Sequence, residues 1–77
     1  MNVERLVAMA NDIAAFFDAE PDKSVAAKDV AYHLKRFWDP RMRAELADYV
    51  RQGGAGLSEL GRAAVTLLGA DAQPKSS

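Results

Sequence analysis

The chain alternates between runs in which apolar side chains recur every three or four positions and polar breaks of a few residues. The clearest run covers residues 3 to about 19, and its spacing is that of one face of an α-helix. Asn2 is a suitable N-cap, and Pro21 disfavours helical geometry at the residue before it. Met9 and Phe16 lie seven positions apart on a second stripe. This helix is therefore predicted to be apolar on more than one face.

The same periodicity predicts three further helices, over residues 24 to 37, 40 to about 52 and 58 to about 69. Asp39 followed by Pro40 is a strong helix start, because Asp is a good N-cap and Pro suits the first helical position. Ser58 is the predicted N-cap of the last helix, which Gly69 is predicted to end. These four short helices with brief connections predict an all-α fold, a compact helical bundle.

Residues 70–77 carry no periodic pattern and contain Pro74. We therefore expect one helical domain over residues 1–69 and a disordered, flexible C-terminal tail over residues 70–77. Alternation of period two, the mark of a strand, is not found in the predicted segments.

Composition narrows the possible functions. The chain has 77 residues, no cysteine, one histidine and a net charge of −1, which allow one domain and exclude disulfides and thiolate metal sites. A near-neutral charge argues against a generic nucleic-acid binder. Apolar runs reach only about five residues, far short of the roughly 20 that span a bilayer, and no secretory signal is evident. We expect a cytoplasmic protein that does not bind membranes.

Candidate catalytic groups are few. His33 is the single imidazole, and its helical neighbour Asp29 lies four residues earlier, so a bond to Asp29 or to a carbonyl explains it without catalysis. The acidic residues of the first loop lack the pattern of a calcium loop. Gly53 and its neighbours lack the strand and the lysine of a phosphate loop and are interpreted as a helix stop. We therefore predict no catalytic residue and no metal or cofactor site in this chain.

The segment from Lys35 to Arg43 is distinctive. It holds four cations and one anion, a local charge of +3, with Phe37 and Trp38 between the cations. Adjacent helical residues diverge by about 100°, so one of the two aromatics is predicted to lie near the surface. Exposed aromatic and arginine side chains favour a protein interface, with nucleic-acid or phosphate binding and a simple helix–helix corner as the alternatives.

Three blocks of the chain resemble the delta subunit of NAD-dependent formate dehydrogenase. They are residues 1–17, the string from His33 to Arg43 with Phe37-Trp38-Asp39-Pro40 inside it, and the glycine-rich residues 53–57. The resemblance extends from residue 1 to about residue 69.

The resemblance implies a small, non-catalytic subunit of a cytoplasmic formate dehydrogenase complex. In such complexes the alpha subunit carries a bis-pterin molybdenum or tungsten centre and iron–sulfur clusters, and the beta and gamma subunits carry FMN and further clusters. The delta subunit is implied to assemble or stabilise the complex, and it carries no family catalytic residue.

We expect this chain to dock on the alpha subunit through its aromatic and basic residues, because arginine pairs bidentately with carboxylates and phosphates. The predicted partner-binding residues are His33, Arg36, Phe37, Trp38, Arg41 and Arg43, extended on the first helix by Met9 and Phe16. An isolated chain with this exposed apolar surface could also form a homodimer.

The competing prediction is a nucleic-acid-binding domain of helix-turn-helix type, with the turn at Asp39 and Pro40. The acidic residues Asp39, Glu45 and Asp48 on or near its recognition helix argue against it.

Overall fold

The computed structural model describes residues 2–72 of the chain and folds them into four α-helices. They are α1 (Val3–Phe17), α2 (Lys23–Phe37), α3 (Pro40–Arg51) and α4 (Glu59–Ala72). No strand occurs among these residues. The predicted all-α class with four short helices is confirmed.

The helix starts follow local capping chemistry. Asn2, Asp39 and Ser58 each accept a hydrogen bond from a backbone N–H two or three positions later, at 2.8, 3.0 and 3.0 Å. All three caps were predicted, because a short polar side chain before an apolar run satisfies an otherwise unpaired N–H. Helix α2 begins at Lys23, one residue before the predicted start, with Asp22 as its N-cap.

The predicted end of the last helix is wrong. Helix α4 continues through Gly69 to Ala72, so Gly69 is an interior residue and not a stop. Its φ lies outside the left-handed region, where the glycines that end α3 are found. Of the tail predicted to be disordered, residues 73–77 lie outside the described residues.

The core is formed by one face of each helix, and α4 packs most extensively against α2 and α3. Its largest fully buried side chains are Leu6, Leu34, Leu46, Val30 and Val65. Helical spacing predicts apolar stripes that include Leu6 and Ala10 on α1, Val30 and Leu34 on α2, and Leu46 on α3, and these residues are in the core.

On α4 the apolar spacing predicts a stripe of Leu60, Ala64, Leu67 and Leu68. Three of these residues face the core, whereas Leu67 is 39% exposed and Val65 is buried.

The glycine-rich connection between α3 and α4 is held by side chains from three helices. The Tyr49 hydroxyl donates to the carbonyl of Ala55 at 2.7 Å. The Arg62 guanidinium donates to the carbonyls of Gly53 and Gly54, at 2.8 and 3.3 Å.

Asn11 fixes the same connection from α1. Its amide nitrogen donates to the carbonyl of Gly56, and its amide oxygen accepts from the N–H of Ser58, both at 2.9 Å. Gly53 and Gly54 have φ of 123° and 62°, as predicted for residues that end a helix. The connection therefore ends α3 and, in addition, is a hydrogen-bonded corner at which α1, α3 and α4 meet.

None of the four described helices combines the length and the apolar character that crossing a membrane requires.

Candidate partner-binding surface

A row of four rings lies where α1 and α2 meet. Phe16 contacts Phe17 edge to face, with ring centroids 5.0 Å apart. Phe17 lies 6.2 Å from His33, and His33 lies 4.7 Å from Phe37. We call these four residues the aromatic strip. It joins two residues at the end of α1 to two in the last two turns of α2.

The two ends of the aromatic strip are open to solvent. Phe16 is 78% exposed and Phe37 is 67% exposed, whereas Phe17 and His33 between them are half-buried. Met9 lies on the same face of α1 as Phe16, two turns earlier, and is 37% exposed. Phe16 and Phe37 belong to one continuous row of packed rings and are not isolated exposed residues, so the strip is a candidate contact surface.

Arg36 adds a cation to the strip. Its guanidinium carbon lies 5.8 Å from the centroid of the Phe37 ring, within the range of a cation–π contact. The same side chain donates to the hydroxyl of Tyr32, one turn earlier, at 3.3 Å. Tyr32 is itself 62% exposed. A guanidinium carries five N–H donors, so donors remain for a partner's carboxylate.

The two neighbouring aromatics separate as expected, one inward and one outward. Trp38 is only 6% exposed and belongs to the core, whereas Phe37 stays at the surface. Trp38 was among the predicted partner-binding residues, and its burial leaves little of the indole accessible to a partner that docks on this folded surface.

The remaining predicted cations are dispersed. Arg43 is half-buried and donates to the carbonyl of Lys35 at 3.3 Å, which satisfies a carbonyl in the last turn of α2. Arg41 is exposed near the start of α3. The structure thus connects Phe16, His33, Phe37 and Arg36 and leaves Arg41 and Arg43 outside the strip. Met9 lies two turns before Phe16 on the same face of α1.

His33 has a packing role. Its imidazole lies between the rings of Phe17 and Phe37, and no hydrogen bond joins it to Asp29 among residues 2–72. The sequence suggested a bond to Asp29, four residues earlier on the same helix, or to a carbonyl. The contact with Phe17 was missed, because it joins residues of two helices.

The acidic residues of the first loop are accounted for by local structure. Asp18 pairs with Lys23 at 3.1 Å, and Glu20 accepts from the N–H of Asp22. A hydrogen bond from the Ser24 hydroxyl is the main reason why the pKa of the Asp22 carboxyl lies below its ordinary value. Hydrogen bonds from the N–H groups of Ser24 and Val25 lower this pKa further. Within the part of the chain that the structure describes, no group of three His, Asp or Glu is placed to hold a metal ion.

These features define a small protein of four helices with an exposed aromatic strip among its described residues. Residues 5–65 of the 77-residue chain match the family model described as NADH-dependent formate dehydrogenase delta subunit FdsD. The chain therefore belongs to the FdsD family of formate dehydrogenase delta subunits. No curated protein and no solved structure matches it.

Proposed function

We propose that this chain is a non-catalytic subunit that docks on the alpha subunit of a cytoplasmic, NAD-dependent formate dehydrogenase and helps to assemble or stabilise that complex. The observation that carries the proposal is the aromatic strip with Arg36 beside it. All of these residues lie within the segment that matches the family. Family membership favours this function over nucleic-acid binding.

The strip has the composition of an interaction hot spot. Aromatic and arginine side chains carry most of the binding energy in protein interfaces, and burying one large apolar side chain contributes about 1.5–3 kcal/mol. Arg36 is held by Phe37 and Tyr32 before any partner arrives, so less side-chain freedom is lost on binding.

The redox chemistry of the complex belongs, in this proposal, to its other subunits. The alpha subunit would carry the bis-pterin molybdenum or tungsten centre and iron–sulfur clusters, and the beta and gamma subunits would carry FMN and further clusters. This chain would contribute surface and shape to the assembly, with no cofactor of its own.

The proposal is tested by removing the exposed rings and measuring assembly. The double variant Phe16→Ala/Phe37→Ala should bind a tagged alpha subunit on the order of a hundredfold more weakly than the wild type and co-purify poorly with it, because two anchor side chains are lost. Formate-dependent NAD reduction in extracts of the cells that express the double variant should fall in parallel.

Leu67→Ala is the matched control, because it truncates another partly exposed apolar side chain, on α4 and outside the strip. It should co-purify normally. The circular dichroism of each isolated variant should retain the helical signal of the wild type. Normal recovery of the double variant with alpha, or unchanged formate oxidation after deletion of the whole chain, would contradict the proposal.

A further inference from the structure

Tyr32 and Arg36 form an exposed pair on α2 beside the aromatic strip. They lie one turn apart, and Nη1 of Arg36 donates to the hydroxyl oxygen of Tyr32 at 3.3 Å. Both residues are exposed to solvent. Tyr32 was not among the predicted partner-binding residues, so any role in binding comes from the structure.

The pair has unused hydrogen-bond donors. A tyrosine hydroxyl can both accept and donate, and a guanidinium has five N–H donors. The Tyr32 hydroxyl accepts from Arg36, which leaves its own hydrogen over, and no other side-chain hydrogen bond of either residue occurs among residues 2–72. The pair therefore presents one O–H donor and several N–H donors at one place on the surface.

The positive charge of Arg36 has no carboxylate beside it in the described part of the chain. Arg51 of α3 pairs with Asp48 at 3.1 Å, whereas Arg36 forms no ion pair within residues 2–72. Asp29 lies on the same face of α2, but two turns earlier and thus about 10 Å away along the helix axis. Charge complementarity at this place therefore requires an anion from outside the described residues.

The donors and their surroundings indicate which anion fits. Arginine binds carboxylates with two parallel hydrogen bonds, and the Tyr32 hydroxyl can donate to one of the same oxygens. The guanidinium lies against the ring of Phe37, which is 67% exposed, so the anion must be carried on apolar surface. A protein carboxylate meets both conditions. A nucleic-acid phosphate suits them less well, because this chain has a net charge of −1.

We infer that Tyr32 and Arg36 together bind a carboxylate of the alpha subunit, next to the apolar surface that covers the aromatic strip. This inference rests on the proposed function and names the chemistry of the partner at that surface. The rings supply apolar contact, and the pair selects the partner, because an arginine that is covered without a carboxylate weakens binding.

The test is the affinity of full-length variants for purified formate dehydrogenase complex that lacks this chain. Arg36→Gln removes the charge and should bind on the order of tenfold more weakly than the wild type. Tyr32→Phe keeps the ring, removes only the hydroxyl and should bind on the order of fivefold more weakly. Arg36→Lys keeps the charge without the planar fork, so its affinity should lie between those of the wild type and Arg36→Gln.

The double variant Tyr32→Phe/Arg36→Gln tests whether the two side chains act on one group. Independent contacts would multiply to a loss of about fiftyfold, whereas two side chains that share a carboxylate should give a smaller combined loss. Binding of the wild type should also weaken as salt rises, and binding of Arg36→Gln should depend less on salt.

Arg51→Gln is the matched control, because Arg51 is an exposed arginine that already pairs with Asp48. It changes the net charge by the same amount as Arg36→Gln and should bind like the wild type. Thermal unfolding of each variant should give the Tm of the wild type, since all three positions are at the surface. A lower Tm of Tyr32→Phe with wild-type affinity would mean that the pair only stabilises α2.

Wild-type affinity in Arg36→Gln and Tyr32→Phe, together with weak binding of Phe16→Ala/Phe37→Ala, would overturn the carboxylate site and leave the proposed function standing. A fully multiplicative loss in the double variant, or binding that does not change with salt, would also overturn it. Tight binding of a single-stranded oligonucleotide that Arg36→Gln abolishes would identify the ligand as a phosphate instead. Failure of the wild-type chain to bind the complex would overturn the proposed function.

Discussion

At the scale of single residues, two glycines show how much depends on one backbone angle. Gly54 has a φ of 62°, in the left-handed region, and a Cβ placed there would lie 2.9 Å from Nη1 of Arg62. Gly69 lies inside α4, and a Cβ placed there would meet nothing within 4 Å. The first position needs glycine, and the second does not.

We therefore predict opposite effects of the same substitution. Gly54→Ala should lower the free energy of unfolding by about 1–2 kcal/mol, because a side chain in the left-handed region is strained. Gly69→Ala should raise it by about 0.5–1 kcal/mol, because alanine favours a helix interior. Urea denaturation followed by circular dichroism measures both. A destabilised Gly69→Ala variant would mean that α4 does end there.

At the scale of helices, capping decides where the elements begin. Asp22 caps α2 and accepts from the N–H groups of Ser24 and Val25 at 3.0 and 3.4 Å, and from the Ser24 hydroxyl at 2.8 Å. These bonds favour the charged carboxylate, which is why its pKa is lowered. A depressed pKa in the folded state links the stability of the domain to pH.

The contribution of Asp22 to the free energy of unfolding should be fully present above about pH 4, which is the ordinary pKa of an aspartate in an unfolded chain. It should be lost as the pH falls through the lowered pKa of the folded state. Asp22→Asn keeps a capping side chain but does not titrate. Thermal unfolding at a series of pH values gives the Tm of the wild type and of this variant. The Tm of the wild type minus that of the variant should decrease as pH falls. Since the other carboxylates titrate in both proteins, a constant difference would refute the linkage.

Helix starts were predictable because capping acts over two or three residues. The end of α4 was not, because a glycine that ends a helix and one that continues it differ only in φ. Leu67 was predicted to face the core and Val65 was not included in the apolar stripe, because α4 is rich in small residues and the position of its apolar face is poorly defined by spacing alone.

The candidate surface was predictable only in part. The second stripe of α1 placed Phe16 on a separate apolar face, since period alone separates two faces of one helix, and the structure leaves this side chain 78% exposed. Whether Phe37 or Trp38 turned outward could not be decided, because the residues are adjacent at the end of a helix. The contact of Phe17 with His33 joins two helices, and helical spacing carries no information about it.

At the scale of the whole molecule, two adjacent aromatic residues have different roles. Trp38 stabilises the fold, and Phe37 belongs to the surface that we propose binds a partner. Trp38 packs in a core that, in a domain of this size, rarely supplies more than about 3–5 kcal/mol. Phe37 lies mostly in solvent. The two side chains are similar in chemistry and adjacent in sequence, so they form a matched pair for experiment.

Trp38→Ala should cost about 3–5 kcal/mol and leave the isolated chain largely unfolded at 25 °C, because it removes a large buried side chain. Phe37→Ala should change the free energy of unfolding by no more than about 0.5 kcal/mol. Equilibrium urea unfolding distinguishes them. Similar stability of the two variants would show that the indole is not a core residue.

The corner between α3 and α4 depends on contacts at two very different separations along the chain. Tyr49 and Arg62 reach it from six to nine residues away, whereas Asn11 reaches it from 45 and 47 residues away. The local contacts can form as soon as α3 and α4 exist, but the bonds to Asn11 require α1 to have docked. Because closing a longer loop costs more entropy, we expect the bonds to Asn11 to form later in folding than the local ones. We therefore expect the N–H of Ser58 to be protected from exchange with solvent only in molecules in which α1 and α4 have come together.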